Sequence, residues 1–290
     1  LRLFGIGFVI LAAMLWGVSG GLAGILMDKG WDPLVISFYR GAVGLVCLLL
    51  WLLISSKRNT VKNSSKVITW SILAGIGVAG NFSFYFLSIS ETGVAVAATL
   101  MYTAPLFVFV ISFLFRMERA TPFKLISILI VMVGISMLTN VYQIGIGSLN
   151  TLGIAAGLLS GLSYALFIFG FKYASEDGHP PFVLSVAFIA FTIILLIFID
   201  HGQALAVIYS SDLVWFIVLG IIGAGISFFF YMEGLKRTSP TAASIIAMVE
   251  PVTASLFGLV VLGEVLNLTQ TIGIGIILIT ITILSTRLRS

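Results

Sequence analysis

The side chains best able to do chemistry in this 290-residue chain are few, and they lie inside apolar runs. Glu250 falls about ten residues, roughly 15 Å at 1.5 Å per residue, into the run that starts near Pro240. An ionisable group at that depth is costly and by default marks the path of an ion or substrate. The chemistry it offers is that of a proton carrier or a counter-charge for a cationic or amino group. Its structural alternative is a carboxyl bracing the kink at Pro251. Arg40 lies about seven residues into the run that starts at Pro33 and needs a partner too. Three partners are open to it: Glu250 across a cavity, a substrate carboxylate, or the outer interface by snorkelling.

Around these charges stand polar and aromatic groups at matched depths. Trp16 and Tyr164 sit deep in their runs, away from the interfacial belt that Trp and Tyr usually occupy. They can stack on an aromatic or cationic cargo, or fill space between helices. Asn81 and Ser227 are polar in mid-run and serve either as cavity lining or as glue between helices. Tyr85, Tyr102 and Tyr231 complete an aromatic set compatible with an aromatic or amphiphilic cargo. Pro105 and Pro251 each remove a backbone hydrogen bond in mid-run, which reads as a hinge or a static kink at a site. Lys172, Glu233 and Lys236 lie near the ends of runs, where solvated or headgroup-facing roles are usual. Glycines at small-xxx-small spacing (Gly17, Gly20, Gly21 and Gly24, then Gly153, Gly157 and Gly161) read as packing devices.

The elements that must hold these residues follow from composition. Sixty per cent of the chain is hydrophobic and only 9% is charged, far below the charged share of soluble domains. Apolar stretches of about 20 residues, the length that crosses a hydrocarbon layer, follow one another with short breaks. Ten spans are expected: 3–27, 33–54, 67–89, 93–115, 121–139, 150–172, 181–199, 213–235, 240–262 and 267–286. The first is too long for a signal-peptide core and lacks its flanking pattern. The expected fold is therefore an all-α membrane protein in the lipid bilayer.

Charge placement orients it. The net charge of +4 comes from basic residues clustered at helix ends, which argues against nucleic-acid binding. With the N-terminus inside, all of the 15 Lys and Arg except Lys29 and Arg40 fall on the inner side, so both termini are expected to be cytoplasmic.

The chain also matches itself. An offset of 146 pairs Gly77 with Gly223, Phe82 with Phe228, Tyr85 with Tyr231, Ala97 with Ala243, Pro105 with Pro251 and Glu118 with Glu264. Nearer the start of each half the offset is 148, pairing Gly30 with Gly178 and Pro33 with Pro181. The halves 1–140 and 141–290 are thus two five-span repeats. Five is odd, so the second copy is inverted, and the loop charges agree: the basic 57–66 connection corresponds to Asp200–Asp212, which has no Lys or Arg. Inverted repeats are a recurrent construction of secondary transporters that work by alternating access. A channel or a duplicated scaffold would share it.

Enzyme chemistry is not suggested. His179 and His201 lie in separate loops, Cys47 is the only cysteine, and there is neither a metal-ligand spacing nor a phosphate-binding glycine loop. No catalytic residue, metal or cofactor is expected. A homodimer is compatible with the sequence.

Several segments, taken together, resemble the EamA-type ten-helix exporters of the drug/metabolite transporter superfamily across nearly the whole chain. They are Leu15-Trp16-Gly17, Phe38-Tyr39-Arg40, Thr103-Ala104-Pro105 and Glu250-Pro251-Val252 running to Leu262-Gly263-Glu264. The first repeat departs from the pattern with Arg116-Met117-Glu118. The resemblance implies a substrate path between the halves, lined by the first four helices of each, with the fifth and tenth peripheral. It implies export of small metabolites such as amino acids across the inner membrane. Coupling to protons would run through Glu250.

Overall fold

The computed structural model describes residues 2–55, 64–119, 121–145 and 150–287. The expected spans are all present as helices of 18 residues or more that are apolar enough to cross a membrane. Lys57, Arg58, Lys62 and Arg289, on which part of the charge argument rests, lie outside the described residues.

Span one is α1 (Arg2–Asp28), span two α2 (Pro33–Ser55) and span three α3 (Ser64–Thr92). Span four is broken into α4 (Val94–Met101) and α5 (Ala104–Leu114), and α6 (Pro122–Thr139) is span five. The second half begins with α7 (Thr151–Asp177) and α8 (Pro180–Phe198). The 199–212 connection, expected as plain loop, contains a short helix, α9 (His201–Tyr209), started by Asp200, whose carboxylate accepts from Gln203 N at 3.0 Å. Span eight comprises α10 (Leu213–Gly220), a π-helical stretch over Ile221–Ile226 and α11 (Ser227–Arg237). Span nine is broken into α12 (Pro240–Ile246) and α13 (Val249–Val261), and α14 (Leu268–Arg287) is the tenth.

Side chains facing outward are large and apolar, such as Leu53, Ile197 and Val260, each more than two-thirds exposed. A water-facing surface would not carry such a belt, whereas lipid solvates it.

The two broken spans break in nearly the same place. In span four the chain tightens at Tyr102 and Thr103, where Thr103 N donates to Leu100 O at 3.1 Å. In span nine Met248 N donates to Ile245 O at 3.1 Å. Each tight turn lies just ahead of Pro105 or Pro251, whose ring cannot donate the next helical bond. Both breaks are buried in protein, the setting in which irregular backbone is tolerated at membrane depth.

The halves interlock rather than sit side by side. α1 packs on α11 and α13, while α7 packs on α3, α4 and α5; α2 packs on α8, and α6 on α14. Glycines make these approaches possible. A Cβ at Gly77 would lie 2.6 Å from Phe167 N, and one at Gly273 would lie 2.6 Å from Gly134 O. Both are closer than real Cβ contacts, so α3–α7 and α6–α14 are close backbone packings.

Candidate functional site

A cavity of about 570 Å³ runs between the halves, a size typical of small-molecule sites. Its floor is built by Trp16 of α1, Tyr164 and Phe167 of α7 and Phe228 of α11. Its walls carry Arg40 of α2, Asn81, Phe82 and Tyr85 of α3, Tyr102 at the span-four break and Glu250 of α13. It widens toward Met27, Ser90, Val94 and Glu264, all exposed at one end of the bundle. That end holds the 28–33, 92–94, 199–212 and 261–268 connections, opposite the end that bears the start of α1.

Local sequence explains why these groups face inward. Glu250 is in the first turn of α13, directly after the tight turn at Ala247 and Met248, and Gly17 of α1 lets the two helices touch there. A Cβ at Gly17 would lie 2.6 Å from Glu250 O. Arg40 neither snorkels to the interface nor pairs directly with Glu250 among the described residues. Its guanidinium lies 4.1 Å from the centroid of the Phe82 ring, held by a cation–π contact. Arg40 and the hydroxyls of Tyr85, Tyr102, Tyr164 and Tyr231 all lie within Coulombic reach of Glu250. The site therefore holds a guanidinium and a carboxyl group in one cavity, not bonded to each other among the described residues.

The floor is aromatic and has unused polar tips. Trp16 sits 4.8 Å from Tyr231 and 5.0 Å from Phe228, and Tyr164 is 4.4 Å from Phe167, centroid to centroid. Trp16 Nε1 and Tyr164 Oη at the floor, and Tyr231 Oη and Ser227 Oγ behind it, are buried without a protein hydrogen-bond partner among the described residues. Buried polar groups are nearly always satisfied, so a cluster of unpaired ones calls for a polar guest or a special role.

The residues singled out from sequence thus fall into three groups. Trp16, Arg40, Asn81, Tyr85, Tyr102, Tyr164 and Glu250 line the cavity. Ser227 and Tyr231 lie behind its wall, fully buried, with Tyr231 packed against Trp16. Pro105 and Pro251 shape the helix breaks from behind it. Asn81 also ties the halves together, donating to Ser160 O and Ser160 Oγ, both at 3.1 Å. Its wall and glue roles therefore coincide.

The glycines divide as well. Gly17 and Gly21 are packing positions against α13, whereas Cβ atoms at Gly20 and Gly24 would meet open space in the cavity. The expectation that all four are packing devices is corrected there, because small-xxx-small spacing does not say which of two faces meets a neighbour. Phe82, Phe167 and Phe228 were not read as site residues. Phe82 and Phe228 are a repeat pair, and that pairing was the signal available for them.

The opposite end of the bundle is closed by polar ties. Lys172 Nζ donates to Leu235 O at 2.7 Å and to Thr238 O at 2.9 Å, covering the C-terminus of α11. A cation is favoured at that pole of a helix. Glu118 accepts from Thr241 N, in the first turn of α12, at 3.0 Å and pairs with Lys124 at 2.5 Å. Sequence placed Lys172 among solvated end residues; its carbonyl partners come from a distant helix end, which spacing along the chain does not reveal.

Comparison with known proteins agrees with this architecture. The EamA-like transporter family matches residues 3–140 and again residues 151–286. An uncharacterized transporter of Archaeoglobus fulgidus is 27% identical over 277 residues, covering 95% of this chain and 94% of its own length. The uncharacterized transporter YwfM of Bacillus subtilis is 24% identical over 283 residues, with 96% and 92% covered. An uncharacterized transporter of Helicobacter pylori is 26% identical over 286 residues, with 95% and 92% covered. A protein solved by crystallography has the same fold, with a TM-score of 0.74 at 19% identity over 99% of each chain. Ten membrane-spanning helices around a cavity shared by two similar halves, and a family match that covers each half in turn, make this chain a membrane transporter of the EamA-like family, within the drug/metabolite transporter superfamily, and not an enzyme.

Proposed function

We propose that the protein exports small zwitterionic metabolites, amino acids or related compounds, across the inner membrane by alternating access. The observation that carries this reading is the placement of Arg40 and Glu250, unpaired with each other, in one cavity that has a wide end and a closed end. A ligand carboxylate meets the guanidinium and its ammonium meets Glu250. Its side chain rests among Phe82, Tyr85, Tyr102 and Phe167. Each charge then gains the partner that burial demands. The unused tips of Trp16 and Tyr164 at the floor supply further polar contacts.

Alternating access draws support from the packing. If 1–140 and 141–290 are inverted repeats, a two-fold in the membrane plane carries α1 onto α7 and span three onto span eight. The α1–α11 contact then corresponds to α7–α3, while α2–α8 and α6–α14 map onto themselves. Two family matches of five spans each point the same way. With cytoplasmic termini, the wide end faces outward, and a path closed at the inner end favours a carrier over a continuous channel.

Glu250 is also the proposed proton carrier. The test is counterflow of labelled amino acids in proteoliposomes, guided by a thermal-shift panel in which a ligand of the folded state raises the melting temperature. Saturable trans-stimulated uptake, with its pH dependence abolished in Glu250→Gln, is the expected result. Flux without trans-stimulation would replace the carrier by a channel, and unchanged pH dependence in Glu250→Gln would remove the proton from the scheme.

A further inference from the structure

We propose that Glu118 and Glu264 are reciprocal latches, Glu118 holding the inner end shut in the conformation seen here and Glu264 holding the outer end shut in the opposite one. The inference rests on the alternating-access reading and adds to it the residues that close each gate.

Glu118 shows what such a latch does. It lies between α5 and α6 with a side chain only 10% exposed, and it accepts from Thr241 N in the first turn of α12. A carboxylate there is favoured twice, by the unsatisfied first-turn amides and by the helix dipole. The bond joins the turn after α5 in one half to the start of α12 in the other, at the end of the bundle where the cavity is shut. Lys124 balances the charge of the buried carboxylate.

Glu264 is its counterpart at the other end. The helices that follow the two acids start alike: the Thr121 side chain accepts from Lys124 N, and Asn267 Oδ1 accepts from Gln270 N. Each acid precedes its cap by three residues, at the 146 offset. By the same offset, the target corresponding to Thr241 N is Ala95 N, in the first turn of α4. Yet Glu264 is exposed, lines the wide mouth of the cavity and rests against Gly258. Val94, at the start of α4, lines the same mouth and is 61% exposed. The N-cap of α4 is Gly93, which offers no side chain to its amides, whereas Ser239 caps α12 through Ala242 N. An acid and the helix start it would cap thus stand at one open mouth, while the equivalent pair at the shut end is bonded.

The turns before the two acids differ, as Arg116-Met117-Glu118 against Gly263-Glu264 requires. The left-handed residue is Arg116 (φ 54°) in one and Gly263 (φ 70°) in the other. The chain therefore leaves α13 one residue later than it leaves α5, with Glu264 directly after a residue that adopts this conformation without steric cost. A latch that must swing between two positions has the freer turn.

The test uses the full-length protein in proteoliposomes with Cys47→Ser, so that single reporter cysteines are unambiguous. Gly20→Cys reports the outer cavity, where a Cβ meets open space; Ile168→Cys, its repeat counterpart, is fully buried toward the inner end. Labelling by a membrane-impermeant maleimide is followed from either side. Glu118→Ala should slow Gly20→Cys labelling and speed Ile168→Cys labelling, changing the ratio of the two rates by about tenfold, as loss of a charge-assisted hydrogen bond implies. Adding Glu264→Ala should bring both rates back toward the parent. Glu118→Gln, which keeps the acceptor oxygen, should stay within about threefold of the parent. If Glu118→Ala does not fold, Glu264→Ala alone, at an exposed rim, should slow Ile168→Cys labelling about tenfold. Rates unmoved by either acid, with Ile168→Cys still labelled slowly in the parent, overturn the latch and leave alternating access standing. Ile168→Cys labelled in none of the proteins overturns both.

Discussion

The two ends of the bundle are made from nearly the same sequence pattern and hold themselves together differently. At the closed end Glu118 joins the turn after α5 to the first turn of α12 in the other half, and Lys172 covers the last carbonyls of α11 within its own half. At the wide end the ties run around the rim instead. Lys29 and Trp31, between α1 and α2, hold Asp212 at the start of α10, with Trp31 Nε1 donating to Asp212 Oδ2 at 3.0 Å. Asp32 N donates to Gln203 Oε1 at 2.8 Å and Tyr39 Oη to Ala204 O at 2.7 Å. Ties across a pathway must break for it to open, whereas ties around a rim can persist while a mouth opens and closes. The contrast separates polar groups that set the conformation from those that hold the frame.

The largest effect is expected where the two ends meet, at the cavity charges. Glu250→Gln should weaken cargo binding by about a hundredfold, roughly 3 kcal/mol, because truncating one partner of a buried charge pair strands the other. Isothermal titration or counterflow with an amino acid found in the thermal-shift panel measures it. Equal affinity in the variant and the parent would move the binding site away from Glu250 altogether.

Next come the ties across the closed end. Lys172→Met removes the cation from two buried carbonyls and should destabilise this conformation by about 2 kcal/mol, seen as slower Gly20→Cys labelling from the side of the wide end. At the 148 offset the counterpart of Lys172 is Gly24, whose Cβ would meet open space. Gly24→Ala should be neutral, or stabilising by up to about 1 kcal/mol through helix propensity. A matched loss in both variants would erase the distinction between the ends.

A smaller contrast separates glycines on one helix. Gly17→Ala pushes a methyl group into the backbone of α13 beside Glu250 and should cost about 1–2 kcal/mol in thermal stability. Gly20→Ala, three residues on, points into the cavity and should cost nothing. Melting curves of the two purified variants compare them directly.

Most of the frame was legible in the sequence because lipid imposes a simple rule: each crossing needs about 20 apolar residues with its backbone bonded internally. Hence ten spans with ends right to a few residues, and breaks near Pro105 and Pro251. The cavity wall was legible where burial is costly, as with Glu250 and Arg40, whose charges have no cheap reason to lie so deep. It was not legible where function depends on which face of a helix meets a neighbour. Ser227 and Tyr231 share the depth of the wall residues but point behind it, and Gly20 and Gly17 differ only in facing. Nor could spacing show that the Arg40 guanidinium rests on Phe82, or that Lys172 and Glu118 reach helix ends far away in the chain, since such partners are fixed by tertiary packing alone. The π-helical stretch at Ile221–Ile226 carries no mark in the sequence at all.

The smallest predicted effect tests the rim. Asp212 lies outside the spans, and its carboxyl is held below the ordinary aspartate value by the hydrogen bonds from the Lys29 ammonium and the Trp31 indole, which outweigh the opposing effect of burial, with the lysine charge adding least. A carboxyl depressed in the folded state contributes stability that is fully present above its unfolded value, about 3.9, and is lost as pH falls through the lower folded one. Between pH 7 and pH 5 the contribution is therefore constant, and the melting temperature of Asp212→Asn should sit below that of the parent by the same small amount throughout. Below about pH 4 the gap should close, as protonation makes the parent resemble its variant. High salt should narrow it at neutral pH too, because an ion pair at a water-facing rim is screened in a way that the buried ties of the closed end are not. Labelling of Gly20→Cys from the side of the wide end should stay at the parent rate in Asp212→Asn. If that rate moved instead, the rim would be part of the gate, and the division between ties that frame the cavity and ties that shut it would fail at the wide end.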